Sequence, residues 1–462
     1  MASRQNFKRF QPIVNPNMHN RKTWIFLFLL IFITMTLFFF LRSGYHHKKK
    51  DILYYRFKAL AAYQKKDYSA FLNNLKKAIE LAPNNPTVMY ELARAFALNG
   101  NKEAAITWLE RYVDTGFFIK SDDIGDFDAI KDLKKFKAIL RRNQEMKSPI
   151  TNSKIAFKIP EKDLIPEGIA YDPVNEVFYI GSIYKCKIIS VDKQNNVNNF
   201  TSEKQDGLLS VTGIKVDAKR RILWVNSSEF YRMKGFENNK AGYTCIFKYN
   251  IDNRKLIKKY ILDERPVFHH FNDLVINSQG DVFITDSLFG AIYKIDHQSD
   301  NLDIFIKPDR FTYPNGITLS QDERYLFVTH VEGTSVVDIN TKSYYILPHP
   351  KNIPLTGIEG LYLYKNTLVA IQDDNWHGRV IQLSLRKSSY KALNLKNSLK
   401  YSVQKANLIE VGNHLFSHPT TGVIVGNFFY YIANSQQLKF NKDMTIYPID
   451  KLDDILILKV KL

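Results

Sequence analysis

Cysteine is nearly absent. Cys186 and Cys245 are the only two in 462 residues, and two cysteines alone build neither a disulfide framework nor a zinc site. No GxSxG turn exposes a nucleophilic serine and no HExxH helix presents a zinc pair, which argues against a serine esterase and a zincin. The formal net charge is +19, but there is no Arg-rich helix and no zinc-finger spacing. The excess is mostly lysine spread along the chain, which reads as a solvated surface with some lipid contact rather than a nucleic-acid groove. Charge is missing altogether between Lys22 and Arg42. Glycine is scarce from 52 to 145.

The uncharged stretch TWIFLFLLIFITMTLFFFL, from Thr23 to Leu41, is apolar on every face. About 20 such residues cross a bilayer core. The run is too long for the apolar part of a signal peptide, and RSGYHHKKK follows it without a small-residue cleavage site. An uncleaved signal-anchor over 23–42 is therefore expected, behind a cytoplasmic tail at 1–22. Basic residues flank both ends, so the positive-inside rule favours a cytoplasmic N-terminus only by a small margin. The remainder is expected outside the cytoplasm.

Over 52–145 the hydrophobic period is helical. Two units of about 34 residues overlay. In the second, from Pro86, Leu92, Ala93, Phe96, Ala105 and Leu109 fall where a tetratricopeptide repeat wants its packing residues, and Gly100 and Asn101 make the turn. The first unit has Ala59, Ala78 and Pro83 in register, but Phe71 stands where a small residue is usual. The segment DFDAIKDLKKFKAILRRNQ is expected to add a capping helix. Two repeats bury little surface alone, so the unit reads either as a groove for a peptide or protein partner or as a spacer packed on its neighbour.

From Thr151 onward short β-rich runs alternate with Asn, Asp, Gly and Pro turns, which is an all-β pattern. One motif recurs six times: EGIAYD from Glu167, TGIKVD from Thr212, NDLVIN from Asn272, NGITLS from Asn315, EGLYLY from Glu359 and TGVIVG from Thr421. Each copy is followed by a turn and a second strand, and often by a third. Fixed-period units of this kind make a propeller. Six copies predict six blades over 151–462. The last run, DDILILKVKL, has no blade after it and is expected to pair with NSKIAFKIP and close the ring. Cys186 and Cys245 fall in or near the third strands of adjacent blades, too far apart for a bridge, so two free thiols are expected.

The innermost strand of each blade lines the channel and the second runs antiparallel to it. The start of the first strand and the end of the second therefore share a face. One ring on that face is Glu167, Thr212, Asn272, Asn315, Glu359 and Thr421; a second is Ser182, Ser227, Asp286, His330, Asp373 and Asn434. Two carboxylates and two carboxamides in the first ring form a hard-oxygen cage that suits calcium better than zinc. His269 and His270 precede Asn272 as residues that gate the mouth or fill a loop. The connections 228–242, 264–271 and 386–406 are expected to wall the pocket.

The runs PEGIAYD, NDLVINSQGDVFITDS, PNGITLSQDERYLFV and PTTGVIVGNFFYYIANS resemble the SMP-30/gluconolactonase/LRE-like, regucalcin-type propellers, over about 155–462. The resemblance implies a divalent metal held by Glu167, Asn272, Asn315 and Glu359, with calcium the natural choice. Glu359 stands where the family usually has Asp. The implied activity is metal-dependent hydrolysis of lactones or related esters, with Glu359 as the base that activates water and Asp373 and His330 as alternatives. The competing expectation is a non-catalytic scaffold that binds a small-molecule ligand in the channel or a protein on its surfaces.

Overall fold

The structure is a computed structural model and describes residues 50–119, 121–146, 148–373, 378–387 and 401–462. The expected span 23–42 lies outside the described residues. Among those described, no helix is long and apolar enough to cross a membrane.

Four helices make two hairpins: Ile52–Gln64 with Tyr68–Leu81, and Pro86–Leu98 with Lys102–Asp114. Each opens on a short polar side chain. Asp51, Asp67, Asn85 and Asn101 accept from the N–H three residues on, a cap worth about 1 kcal/mol. Gly100, at φ +77°, makes the left-handed turn that a Cβ would oppose. Leu92, Ala93, Ala105 and Leu109 are buried and Phe96 is half-buried. Phe71 is fully buried against Tyr63, so the larger ring is core. The expected capping helix is instead two pieces, a 3-10 helix at Ser121–Ile130 and an α-helix at Lys134–Glu145. Aspartates and Gly125 in the first piece compete with regular helix. Its Asp126 is drawn onto Arg94, at 2.6 Å, and the Tyr63 hydroxyl, at 3.0 Å.

Six four-stranded antiparallel sheets follow. The first blade is Pro166–Asp172, Val177–Ser182, Ile188–Val191 and Val197–Asn199. The second is Ser210–Asp217, Ile222–Ser228, Thr244–Asn250 and Leu256–Leu262. The third is Phe271–Ile276, Val282–Asp286, Ala291–Ile295 and Leu302–Ile306. The fourth is Ile317–Leu319, Tyr325–His330, Gly333–Asp338 and Tyr344–Ile346. The fifth is Ile358–Tyr364, Thr367–Gln372, Arg379–Lys387 and Tyr401–Val411. The sixth takes Gly422–Val425, Phe428–Ile432 and Ile455–Lys461 from the end of the chain and Lys154–Ile159 from its start. Pairing of Lys154–Ile159 with Ile455–Lys461 closes the ring as the sequence suggests. A closed ring leaves only short outer edges exposed. Cys186 and Cys245 are buried free thiols, and burial pushes both up, to about 12 and about 11.

Neighbouring blades meet closely at their inner strands. A Cβ on Gly213 would come 2.5 Å from the Asn272 carbonyl oxygen, and one on Gly316 2.9 Å from that of Glu359. Threonine hydroxyls clasp the next blade's backbone: Thr212 donates to Phe271 O at 2.7 Å, Thr285 to Asn315 O at 2.8 Å and Thr329 to Ile358 O at 3.0 Å. The helical unit docks on blades four and five. Asn85 Nδ2 donates to Val331 O at 3.1 Å. Arg379 donates to Thr115 O at 3.2 Å and stacks its guanidinium on Phe117, 3.9 Å from the ring centre.

Candidate functional site

The inner strands are irregular where the candidate residues stand. In blade one the register slips between Pro166 and Ile169, in blade two between Val211 and Ile214, in blade three between Phe271 and Leu274, and in blade five between Ile358 and Gly360. Glu167, Thr212, Asn272 and Glu359 lie inside these bulges. A bulge bends the strand and re-aims a side chain.

Asn315 Nδ2 donates to Glu359 Oε2 at 2.7 Å, joining blades four and five. Glu167 accepts from Gln437 Nε2, and Gln437 Oε1 in turn accepts from Arg232 Nη1 at 2.8 Å. Asn272 Nδ2 donates to Ser287 Oγ at 3.0 Å, and that hydroxyl donates to Pro314 O at 2.7 Å. Glu167 is held up to about 8, first by burial and then by the Glu359 carboxylate, while Arg232 and the Gln437 bond pull it down. Asp273 adds to the negative side and is itself paired with Lys215 at 3.2 Å. Tyr313, in the left-handed backbone region at φ +56°, is pushed well up by burial and Glu359, so its phenol keeps its proton.

This donor set fits a hard divalent cation. It offers two carboxylates and two carboxamides, and the Glu359 charge raises Glu167, a repulsion that a cation would relieve. A second group, Asp281, Asp296 and His297, also comes within ligating reach of one another. It lies at the opposite end of blade three from Asp286. There Lys294 already contacts Asp281 at 3.0 Å and Asp296 at 2.8 Å, so the cluster carries its own cation.

The second ring takes up backbone and side-chain partners. Ser182 bonds Leu164 O. Ser227 accepts from Leu209 N at 2.8 Å. Asn434 accepts from Leu456 N at 2.6 Å. Asp286 holds both histidines of the preceding loop, through His269 Nδ1 at 2.6 Å and His270 N at 2.9 Å. His270 packs on Phe230, and burial lowers it to about 4. His330 lies between Glu332 and Ser335, each at 2.8 Å, and stacks on Phe311. Asp373 contacts His418 at 2.9 Å. Thr421 clasps Glu167 O, so it supports the site by its backbone.

Most of the connection 386–406, expected to wall the pocket, lies outside the described residues, at 388–400. Gln372 pairs with Arg379 beside Glu359, whereas Lys387 pairs with Tyr401 at the far end of the same sheet. The 228–242 connection does reach the site, through Arg232. Arg232 and Gln437 carry no motif and sit in loops of blades two and six, which is why sequence spacing does not single them out.

Fold and site together define a class: a six-bladed propeller with carboxylates and carboxamides gathered where its inner strands begin. Within that class, residues 165–345 match the SMP-30/Gluconolactonase/LRE-like region, and residues 62–116 match a tetratricopeptide repeat. The first match contains Glu167, Asn272 and Asn315; Glu359 lies beyond it. A gluconolactonase from Xanthomonas campestris is 12% identical, covering 68% of this chain and 95% of its own, with a TM-score of 0.43. A luciferin-regenerating enzyme is 12% identical, covering 68% and 96%, at 0.44. A virginiamycin B lyase from Staphylococcus aureus is 14% identical, covering 66% and 83%, at 0.41. No protein of curated function is similar enough in sequence to count as a relative.

Proposed function

We propose that the propeller is a divalent-metal-dependent hydrolase of lactones or related esters, with calcium as the metal. One observation carries the reading: Asn315 Nδ2 bonds Glu359 Oε2 at 2.7 Å across blades four and five, and the Glu359 charge helps to raise the buried Glu167 of blade one. Glu167, Asn272, Asn315 and Glu359 would hold the cation. When bound, it supplies Lewis-acid polarisation of the lactone carbonyl. Asn315 orients the Glu359 carboxylate, which takes the proton of the attacking water. The partners of His330 and Asp373 leave Glu359 the preferred base. The test is metal analysis of the purified protein followed by a lactone and ester panel. Absence of bound calcium, magnesium, manganese and zinc, with no turnover, would overturn the reading.

A binding scaffold is the second reading. It is favoured by the helical unit's contact with blades four and five through Asn85 and Arg379, which joins two recognition modules into one surface. We further propose that residues 23–42 anchor the chain in a membrane with the propeller outside the cytoplasm, on the strength of the uncharged run between Lys22 and Arg42. Protease added to intact cells should cleave the propeller; protection there with cleavage from the cytoplasmic side would reverse the topology.

A further inference from the structure

The candidate site contains a cation of its own. Arg232 is delivered by the excursion between the second and third strands of blade two. That excursion is braced: Glu229 N donates to Tyr243 O at 2.9 Å, Glu229 Oε1 accepts from Glu237 N at 2.8 Å, and Lys234 N donates to Tyr184 O at 2.9 Å. The guanidinium lies beside the rings of Tyr231 and Phe230, at 5.0 and 5.8 Å, and Arg232 is buried. Its Nη1 bonds Gln437 Oε1 at 2.8 Å, and the other end of the Gln437 amide donates to Glu167 Oε2. A glutamine in this pose hands one carboxylate oxygen a donor on behalf of the arginine. The same oxygen is one that a divalent ion would need.

We propose that Arg232, acting through Gln437, is a resident competitor for the divalent cation and sets the site's affinity for it. The inference rests on the divalent site proposed above. Two physical effects point the same way. Gln437 Nε2 occupies an acceptor site on Glu167 Oε2, so an ion ligated there has to share that oxygen with the amide that Arg232 holds. A fixed guanidinium near the carboxylates also repels a divalent ion, in a setting where charges act more strongly than in water. The site thus has two forms, one balanced by the guanidinium and one by the metal. Arg232 is a positioning residue, with no reacting atom of its own.

Calorimetric titration of the metal-free full-length protein with calcium and with manganese tests this. Arg232→Gln removes the charge and should bind about tenfold tighter or more. Arg232→Lys keeps the charge and should stay within about threefold of wild type, although its ammonium lacks the planar fork. Gln437→Ala frees Glu167 and should also tighten binding, which keeps the proposal testable if Arg232→Gln folds poorly. By linkage, calcium should loosen the strap, so amide exchange over 229–243 should rise when the wild type is loaded. Equal or weaker binding by folded Arg232→Gln or Gln437→Ala would overturn the competitor role and leave the metal site standing. No binding of either ion by any of the four proteins would overturn both.

Discussion

Asn315 and Glu359 are bonded side chain to side chain, at 2.7 Å, across the boundary between blades four and five. Neither is near the other in sequence, and each stands where its inner strand begins. The bond holds a carboxylate whose charge helps to raise the buried Glu167.

Glu359→Gln removes that repulsion while keeping an oxygen for Asn315. The Glu167 carboxyl should then titrate lower than about 8, its position in the native protein. Carbon-detected NMR of the glutamate side chains checks this. An unchanged Glu167 would mean that burial alone accounts for its position.

The same shift makes the metal-free protein sensitive to pH. A carboxyl at about 8 when folded, against an ordinary 4.5, binds its proton more tightly in the native state. Its contribution is fully present below about pH 4.5 and is lost as pH rises through about 8. Thermal unfolding of metal-free protein should therefore move to lower temperature over that window. Glu167→Gln should flatten the trend, and an equal slope in that variant would assign the effect to other groups.

Metal should reverse the loss. Glu167, Asn272, Asn315 and Glu359 come from four blades, so one ion would tie the ring together. Calcium at a hundredfold excess over its dissociation constant should stabilise by about 2.7 kcal/mol. Chelation should undo the shift, and Glu167→Gln should weaken it sharply. Thr212→Val, which loses only the clasp on Phe271 O, should leave metal affinity nearly unchanged.

Arg379 is a buried cation between two domains. It bonds Gln372 Oε1 at 2.7 Å and Thr115 O at 3.2 Å and stacks on Phe117. Arg379→Ala leaves those partners unmatched and should cost about 2–4 kcal/mol. Amide exchange should rise at 112–119 as well as in blade five. Exchange confined to blade five would mean that the helical unit is held by its other contacts.

Much of the architecture was legible because it rests on period and count. Six copies of one motif give six blades, a helical period over 52–145 gives the repeat hairpins, and two complementary runs at 154 and 455 close the ring. Those are local properties, and each residue's neighbours in the chain decide them. Phe71, which stands where a small residue is usual, is packed into the core against Tyr63.

The site divides differently. The sequence alone placed Glu167, Asn272, Asn315 and Glu359 at equivalent positions, because a repeated strand carries equivalent residues to one face. It could not say that Asn315 would bond Glu359, that Asp286 would be taken up by His269 and His270, or that His330 would be shared between Glu332 and Ser335. Arg232 and Gln437 were invisible for a further reason. They belong to irregular connections of blades two and six, 205 positions apart, and only closure of the ring brings them to Glu167. Spacing is fixed by the chain, but charge balance at the centre is fixed by which loops the closed ring turns inward.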